Sequence, residues 1–120
     1  MSLVPSALVV EDDPILLEFT CMELSDGGFD VARASGRAEA LAILERGPAP
    51  RFVVTDIALE DERTGLELAR TIAERWPEVR LILISGSQRP PKDEYPDGAL
   101  FVTKPCARGA LLTLMAAPAW

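Results

Sequence analysis

The chain has 120 residues, the length of one domain, and 48% of them are apolar, which is enough to bury a core without disulfides or a structural metal. Nineteen acidic residues against twelve basic ones give a formal charge of −7, which argues against binding of nucleic acid or an anionic membrane by this chain. Histidine is absent, so histidine-based metal sites, a Ser-His-Asp triad and a histidine phosphate donor are excluded.

Five short apolar segments predict the strands of a parallel sheet. Most of them are nearly continuous apolar runs, which is typical of strands buried on both faces. The predicted strands are Ala7–Val10, Phe29–Ala34, Phe52–Thr55, Leu81–Ile84 and Leu100–Val102.

The first helical segment follows the first strand. It begins at Pro14, where the missing N–H costs nothing, and ends at Gly27-Gly28. Glu18 and Glu23 are expected to lie outside its buried face. That face is predicted to consist of Ile15, Leu16, Phe19 and Leu24.

Three more helices are predicted, and one expected helix is missing. The second runs from about Arg37 to Arg46, the third from Thr64 to before Pro77, and the last from roughly Arg108 to Ala117. Between Ser85 and Leu100, three prolines in seven residues forbid a regular helix, so we expect a loop or at most one helical turn there. The alternation predicts one α/β doubly wound domain over residues 1–120, with its core at about 7–115.

The two cysteines, Cys21 and Cys106, are far apart and form no CxxC motif. Such sparse use predicts ordinary buried thiols in a reducing compartment. No apolar stretch approaches the ~20 residues that a membrane span needs. We therefore expect a cytoplasmic chain.

Polar residues follow four of the five predicted strands. They are Glu11-Asp12-Asp13, Asp56, Ser85-Gly86 and Thr103-Lys104-Pro105. In open parallel sheets, functional groups gather at the carboxyl ends of the strands, so these residues are expected to converge on one edge. Clustered carboxylates repel one another unless a cation is present, and Mg²⁺ prefers oxygen ligands. A carboxylate beside such an ion can attack phosphorus and form an acyl phosphate.

Four segments, in this order and at these intervals, resemble the receiver domain of two-component response regulators over about residues 7–115. They are Val9-Val10-Glu11-Asp12-Asp13-Pro14, Val54-Thr55-Asp56-Ile57, Leu83-Ile84-Ser85-Gly86 and Thr103-Lys104-Pro105. The resemblance implies a flavodoxin-like (βα)5 fold with five parallel strands in the order 2-1-3-4-5 and, here, a reduced or missing fourth helix.

The resemblance also implies a role for each matching residue. Asp56 would be the phosphoacceptor, Ser85 the switch hydroxyl, Lys104 the contact to the phosphoryl group and Phe101 the aromatic switch residue. The implied ligands of Mg²⁺ are Glu11, Asp12, Asp56 and the backbone carbonyl of Ala58. The peptide bond between Lys104 and Pro105 is expected to be cis, as in the family.

The implied function is a switch and not a turnover enzyme. A histidine kinase or histidine phosphotransfer domain would supply the phosphoryl group, and an unidentified downstream protein would read the result. A homodimer is possible in this family, and the domain either stands alone or belongs to a hybrid kinase or larger regulator. The sequence departs from the family pattern in two places. The loop after Asp56 carries three extra acids, Glu60 to Glu62, and the proline-rich segment replaces the fourth helix, which usually belongs to the surface that passes on the signal.

Other interpretations of the same residues stay open at this point. Glu11 to Asp13 also suit the N-terminus of a helix, Ser85-Gly86 a plain turn and Lys104-Pro105 a plain strand exit. An interaction module that no longer takes phosphate is one alternative function. A Mg²⁺-dependent phosphohydrolase of the haloacid dehalogenase type is another, although Ala58 stands where such enzymes carry a second aspartate.

Overall fold

The computed structural model describes residues 6–59, 64–86, 90–103 and 109–116. Within these ranges strands and helices alternate. The elements are β1 (Ser6–Val10), α1 (Pro14–Asp26), β2 (Asp30–Ala34), α2 (Arg37–Arg46), β3 (Phe52–Asp56), α3 (Thr64–Arg75), β4 (Arg80–Ser85), a 3-10 turn (Lys92–Glu94), β5 (Leu100–Thr103) and α4 (Ala110–Met115). Each predicted strand boundary agrees with the observed one to within a residue. The predicted ends of the last helix, Arg108 and Ala117, lie outside the described residues.

The five strands form one parallel sheet in the order β2-β1-β3-β4-β5, which confirms the predicted fold. The chain leaves β1 toward one edge, to β2, and then crosses back to build β3, β4 and β5 on the other side. The strand order therefore reverses between β1 and β3. In such sheets the crevice at the carboxyl ends of the two central strands is the usual binding position.

Residues of the strands point alternately to the two faces, and each face is covered by helices. One core cluster joins the sheet to α2 and α3, and the other joins it to α1 and α4. The first includes Leu8, Val10, Val53 and Leu83 with Ala40, Leu44, Leu68 and Ile72. The second includes Ala7, Val9, Val54 and Ile82 with Cys21, Leu24, Leu111 and Met115. Because both of their faces are buried, the interiors of β1, β3 and β4 are mainly apolar, whereas the edge strand β2 carries the exposed residues Asp30 and Arg33.

The predicted buried face of α1 is wrong except for Leu24. The helix packs on the sheet through Cys21 and Leu24, with Leu17 partly buried beside them. The residues that were expected to be buried are exposed instead, and they are Ile15, Leu16 and Phe19. Burial also raises the pKa of the Cys21 thiol, as expected for an inert buried cysteine.

The error in α1 has a simple geometric reason. Two apolar stripes with the same spacing run along the helix, one through Leu17, Cys21 and Leu24 and the other through Ile15, Phe19 and Met22. They are offset by two residues, which turns an α-helix through about 200°, so they occupy opposite faces. Hydrophobic periodicity fits either stripe equally well, and only the packing partners of α1 select one of them.

The proline-rich segment forms a single helical turn, as predicted, in the part that is described. The turn over Lys92–Glu94 is closed by the Glu94 N–H, which donates to the Pro91 carbonyl at 2.9 Å. It is tied to α3 by Arg70, whose Nη1 donates to the Glu94 carbonyl at 3.1 Å. The Tyr95 ring packs edge-on against Phe101 with a centroid separation of 4.6 Å. Residues 90–99 thus lie between β4 and β5, where the alternation of strands and helices calls for a helix.

No helix in the described ranges is long and apolar enough to cross a membrane.

Candidate functional site

The strand register brings the predicted site residues to one edge of the sheet. Val10 pairs with Thr55, so Glu11 and Asp56 follow at the same level on neighbouring strands. Asp56 in turn pairs with Ile84, directly before Ser85. Two of the carboxylates and the switch hydroxyl predicted from the sequence therefore lie on three adjacent strands, at the point where the strand order reverses.

The three consecutive acids after β1 have different environments. Glu11 is buried, and its Oε2 accepts a hydrogen bond from the Asp13 N–H at 3.1 Å. Asp12 is exposed. Asp13 caps α1, because its Oδ1 accepts from the N–H groups of Ile15 at 2.9 Å and Leu16 at 3.3 Å. The helix-terminus interpretation therefore describes Asp13, while Glu11 and Asp12 remain candidates for binding a cation.

Asp56 is a buried carboxylate, with 4% of its surface exposed, at the end of a central strand. Its Oδ1 accepts a hydrogen bond from the Ala58 N–H at 2.9 Å, which sets the plane of the carboxylate. The loop that supplies this donor is held on both sides. The Ile57 N–H donates to the Ile84 carbonyl at 3.1 Å, and the Gly65 N–H donates to the Ile57 carbonyl at 3.0 Å.

Two neighbours of Asp56 were not assigned a role from the sequence. The Thr55 Oγ1 donates to the Asp56 carbonyl at 3.0 Å inside the protein. Gly65 lies so close that a Cβ atom built on it would be 1.8 Å from the same carbonyl oxygen. A hydroxyl within an otherwise apolar strand is a signal for Thr55, since a buried hydroxyl needs a partner. No local sequence pattern indicates the contact between Gly65 and Asp56, because these residues are nine positions apart.

Ser85 and Phe101, the two predicted switch residues, lie on adjacent strands β4 and β5. Ser85 is buried at the end of β4 and pairs with Thr103. Phe101 is partly buried, pairs with Leu83 and packs against the core cluster shared with α2 and α3. The register therefore places Thr103 beside Ser85 at the carboxyl edge of the sheet.

Several predicted features fall on residues outside the described ranges. They are Lys104 with its peptide bond to Pro105, the acidic loop Glu60 to Glu62, and Cys106. Their predicted roles stay predictions.

The polar groups at this edge of the sheet include oxygen donors of the kind that bind Mg²⁺. Within the described ranges, no three acidic, histidine or cysteine side chains are grouped closely enough to hold a metal ion. Mg²⁺, however, is usually bound through one or two carboxylates together with water and phosphate oxygens. Glu11 and Asp56 are buried oxygen donors at neighbouring strand ends, and carboxylate oxygens are the ligands that Mg²⁺ prefers. The donor set therefore fits Mg²⁺.

Comparison with known proteins identifies the family. The family model of the response regulator receiver domain matches residues 7–116. The chain belongs to the response regulator receiver domain family. This receiver domain also resembles solved structures of such domains. It matches a response regulator receiver protein from Sinorhizobium medicae with a TM-score of 0.83 and 29% identity, over 92% of this chain and 90% of that one.

Curated relatives of the receiver domain are longer regulatory proteins. The photosynthetic apparatus regulatory protein RegA of Rhodovulum sulfidophilum is 33% identical over 68% of this chain and 44% of its own length. The transcriptional regulatory protein AruR of Pseudomonas aeruginosa is 38% identical over 72% of this chain and 36% of its own length. The receiver domain thus spans less than half the length of these relatives.

Proposed function

We propose that this receiver domain is a phosphorylation switch in which Asp56 accepts a phosphoryl group in a Mg²⁺-dependent step. The observation that carries the proposal is the environment of Asp56, a buried carboxylate with one oxygen held by the Ala58 N–H at 2.9 Å. Receiver domains are signalling domains, and we propose that this one does not turn over a substrate. The proposed donor is a phosphohistidine of a histidine kinase or phosphotransfer domain, and this histidine lies outside residues 1–120, which contain none.

The proposed step transfers one phosphoryl group between the two proteins. A carboxylate oxygen of Asp56 attacks phosphorus, the phosphorus–nitrogen bond of the donor breaks, and the imidazole leaves with the bonding electron pair and takes up a proton. The product is an acyl phosphate on Asp56. Since the Ala58 N–H holds Oδ1, the carboxylate is already oriented before the donor arrives, which lowers the entropic cost of the attack.

Four groups in this chain are proposed as ligands of Mg²⁺, namely Glu11, Asp12, Asp56 and the carbonyl of Ala58. Because the three carboxylates are not grouped in this structure, Asp12, which is exposed, is proposed to turn toward Glu11 and Asp56 when the ion binds. When bound, Mg²⁺ supplies positive charge opposite the phosphoryl oxygens. Lys104 is proposed to contact a second phosphoryl oxygen as a point charge, and Ser85 to donate a hydrogen bond to a third. The burial of Ser85 on the strand next to Asp56 supports that assignment.

The proposed output follows from the same groups. Once Asp56 is phosphorylated, Ser85 moves toward the phosphoryl group and Phe101 turns inward on the neighbouring strand. The surface that changes includes β5 and α4, and a downstream protein binds it in the cytoplasm. We propose that residues 1–120 act as one such domain, either alone, as a homodimer or within a larger regulator.

Intact-mass spectrometry tests the phosphoacceptor directly. The protein is incubated with phosphoramidate or acetyl phosphate and Mg²⁺, and the mass of one added phosphoryl group is expected on the wild type. Addition of EDTA should abolish the increase. The Asp56→Asn variant should show no increase. The control variant Asp30→Asn should behave as the wild type, because Asp30 is exposed at the start of β2, at the edge of the sheet away from Asp56.

Three results would contradict the proposal. An unmodified wild-type mass would indicate that the receiver domain acts by protein contact without phosphorylation. A mass increase that survives in Asp56→Asn would place the acceptor elsewhere. Release of phosphate over many turnovers from a phosphomonoester would instead indicate a phosphohydrolase.

A further inference from the structure

The peptide unit between Asp56 and Ile57 is hydrogen-bonded at both ends. Its carbonyl accepts from the Thr55 Oγ1 at 3.0 Å, and its N–H donates to the Ile84 carbonyl at 3.1 Å. Because a peptide unit is planar, a bond at each end fixes the orientation of the whole unit. A turn of the carbonyl away from Thr55 would therefore also take the N–H away from Ile84.

The next peptide unit, between Ile57 and Ala58, is held in the same way. Its carbonyl accepts from the Gly65 N–H at 3.0 Å, and its N–H donates to the Asp56 Oδ1 at 2.9 Å. This second unit contacts the carboxylate directly, and the Ala58 carbonyl, a proposed ligand of Mg²⁺, follows it in the chain. The orientation of the carboxylate and the position of that carbonyl therefore depend on how firmly the two units are held.

Thr55 supplies the side-chain donor among these four hydrogen bonds. The other three are donated by backbone N–H groups, which every residue except proline provides. The bond from the Thr55 hydroxyl is therefore the one of the four whose donor depends on the type of residue.

The surroundings of Thr55 are otherwise apolar. The residue is fully buried in β3, and it pairs with Val10 on one neighbouring strand and with Leu83 on the other. Both partners belong to the core cluster that joins the sheet to α2 and α3. Valine has nearly the same shape as threonine and would bring no polar atom that needs a partner. Packing alone therefore favours an apolar side chain at this position, so the hydroxyl must contribute through its bond to the Asp56 carbonyl.

The Asp56 carbonyl is enclosed between two elements. The Thr55 hydroxyl approaches it from β3, and the start of α3 lies so close that a Cβ atom on Gly65 would be 1.8 Å from its oxygen. The close approach of Gly65 limits how far the carbonyl can move, and the hydroxyl of Thr55 sets its direction.

We propose that Thr55 is a positioning residue for the phosphorylation of Asp56. Its hydroxyl holds the Asp56 carbonyl, and through it the two peptide units that orient the carboxylate and present the Ala58 carbonyl. The inference rests on the proposed function of Asp56 and adds a residue that acts through the backbone. The side chain of Thr55 itself lies in the core on the side of α2 and α3.

A simpler explanation makes a different prediction. If the hydroxyl only satisfies its own need for a partner, Thr55→Val removes the group and its need together, and the loop stays as it is. If the hydroxyl positions the loop, valine leaves the Asp56 carbonyl without this donor, and both peptide units gain freedom. The same variant therefore distinguishes the two explanations.

Hydrogen exchange of the ¹⁵N-labelled protein in EDTA tests the loop without metal or phosphate. In Thr55→Val, the N–H groups of Ile57 and Ala58 should exchange about fivefold faster, as for the loss of one hydrogen bond. Thr55→Ser keeps the hydroxyl and should exchange as the wild type. The control is Ile72→Val, which shortens a buried side chain of the same core cluster by one carbon atom and should not affect these two N–H groups selectively.

Mg²⁺ titration and phosphorylation then test the consequence for the site. Chemical shifts follow the binding of Mg²⁺ without a phosphoryl donor, and Thr55→Val should bind the ion about tenfold more weakly, as is typical when a hydrogen bond behind a ligand group is lost. Phosphorylation by phosphoramidate at saturating Mg²⁺ should slow by about fivefold, because the carboxylate is less well oriented. Thr55→Ser and Ile72→Val should resemble the wild type in both measurements.

Three outcomes would overturn the inference. Wild-type exchange and Mg²⁺ binding in Thr55→Val would show that the hydroxyl serves only itself. The same changes in Thr55→Ser would show that the shape of the side chain, and not the hydroxyl, is responsible. Equal changes in Ile72→Val would indicate a general loss of stability. If the wild type takes up no phosphoryl group, the proposed function fails, whereas exchange and Mg²⁺ binding still decide whether Thr55 holds the loop.

Discussion

Replacement of Gly65 by alanine distinguishes local helix preference from tertiary packing, because the two predict changes of opposite sign in the free energy of unfolding. Gly65 is the second residue of α3. In a helix, alanine is favoured over glycine by about 0.8–1 kcal/mol, so propensity alone predicts that Gly65→Ala stabilises the protein. The structure predicts the reverse, because α3 begins against the end of β3.

The size of the effect follows from the distances at that contact. A Cβ atom on Gly65 would lie 1.8 Å from the Asp56 carbonyl oxygen and 2.6 Å from the Ile57 Cα, where ordinary contacts begin at 3.4 Å. Both are backbone atoms at the end of a buried central strand, so they cannot turn aside as a side chain would. Overpacking of this kind costs about 1–3 kcal/mol and occasionally more, and an overlap with backbone belongs at the upper end. After subtraction of the stability that alanine gains through its helix preference, we expect the free energy of unfolding to fall by about 2 kcal/mol or more.

Urea denaturation measures this loss, and the acetyl phosphate assay measures its effect on the site. The midpoint should fall by about 1 M, given a slope near 2 kcal/mol/M. Phosphorylation should slow as well, since the strain moves the backbone that carries Asp56. Gly86→Ala is the stability control, because a Cβ atom there meets nothing within 4 Å. Equal or greater stability in Gly65→Ala, with unchanged phosphorylation, would refute the close approach.

Two further predictions concern local contacts that urea denaturation can measure. Asp13→Ala should lower the free energy of unfolding by about 1 kcal/mol, because the N–H groups of Ile15 and Leu16 lose their acceptor. Asp13→Asn should retain most of the stability. An alanine variant as stable as the wild type would contradict the cap. Tyr95→Ala should cost about 2 kcal/mol through loss of the edge-on contact with Phe101 at 4.6 Å, and Tyr95→Phe should lie within about 0.5 kcal/mol of the wild type. If Tyr95→Phe were as destabilised as Tyr95→Ala, the hydroxyl and not the ring packing would be responsible.

Much of the candidate site could be anticipated from the sequence because its residues follow strands directly. Once the apolar runs are recognised, the parallel sheet places Glu11, Asp56 and Ser85 at one edge without any further information. The different environments of Glu11, Asp12 and Asp13 could not be separated in this way. Which of three consecutive acids is buried, exposed or used as a cap depends on where α1 starts relative to the sheet.

The sequence by itself determined the order of the elements, the strand boundaries to within a residue and the edge at which Glu11, Asp56 and Ser85 gather. These features are local, since apolar runs, prolines and glycines act within a few residues of where they stand. The tertiary structure alone decided which stripe of α1 is buried, because Leu17, Cys21 and Leu24 have the same helical spacing as the stripe that is exposed. It also decided the contact of Gly65 with Asp56 and the buried position of Glu23 Oε2, since burial is a property of what packs alongside and not of the helix that carries the residue.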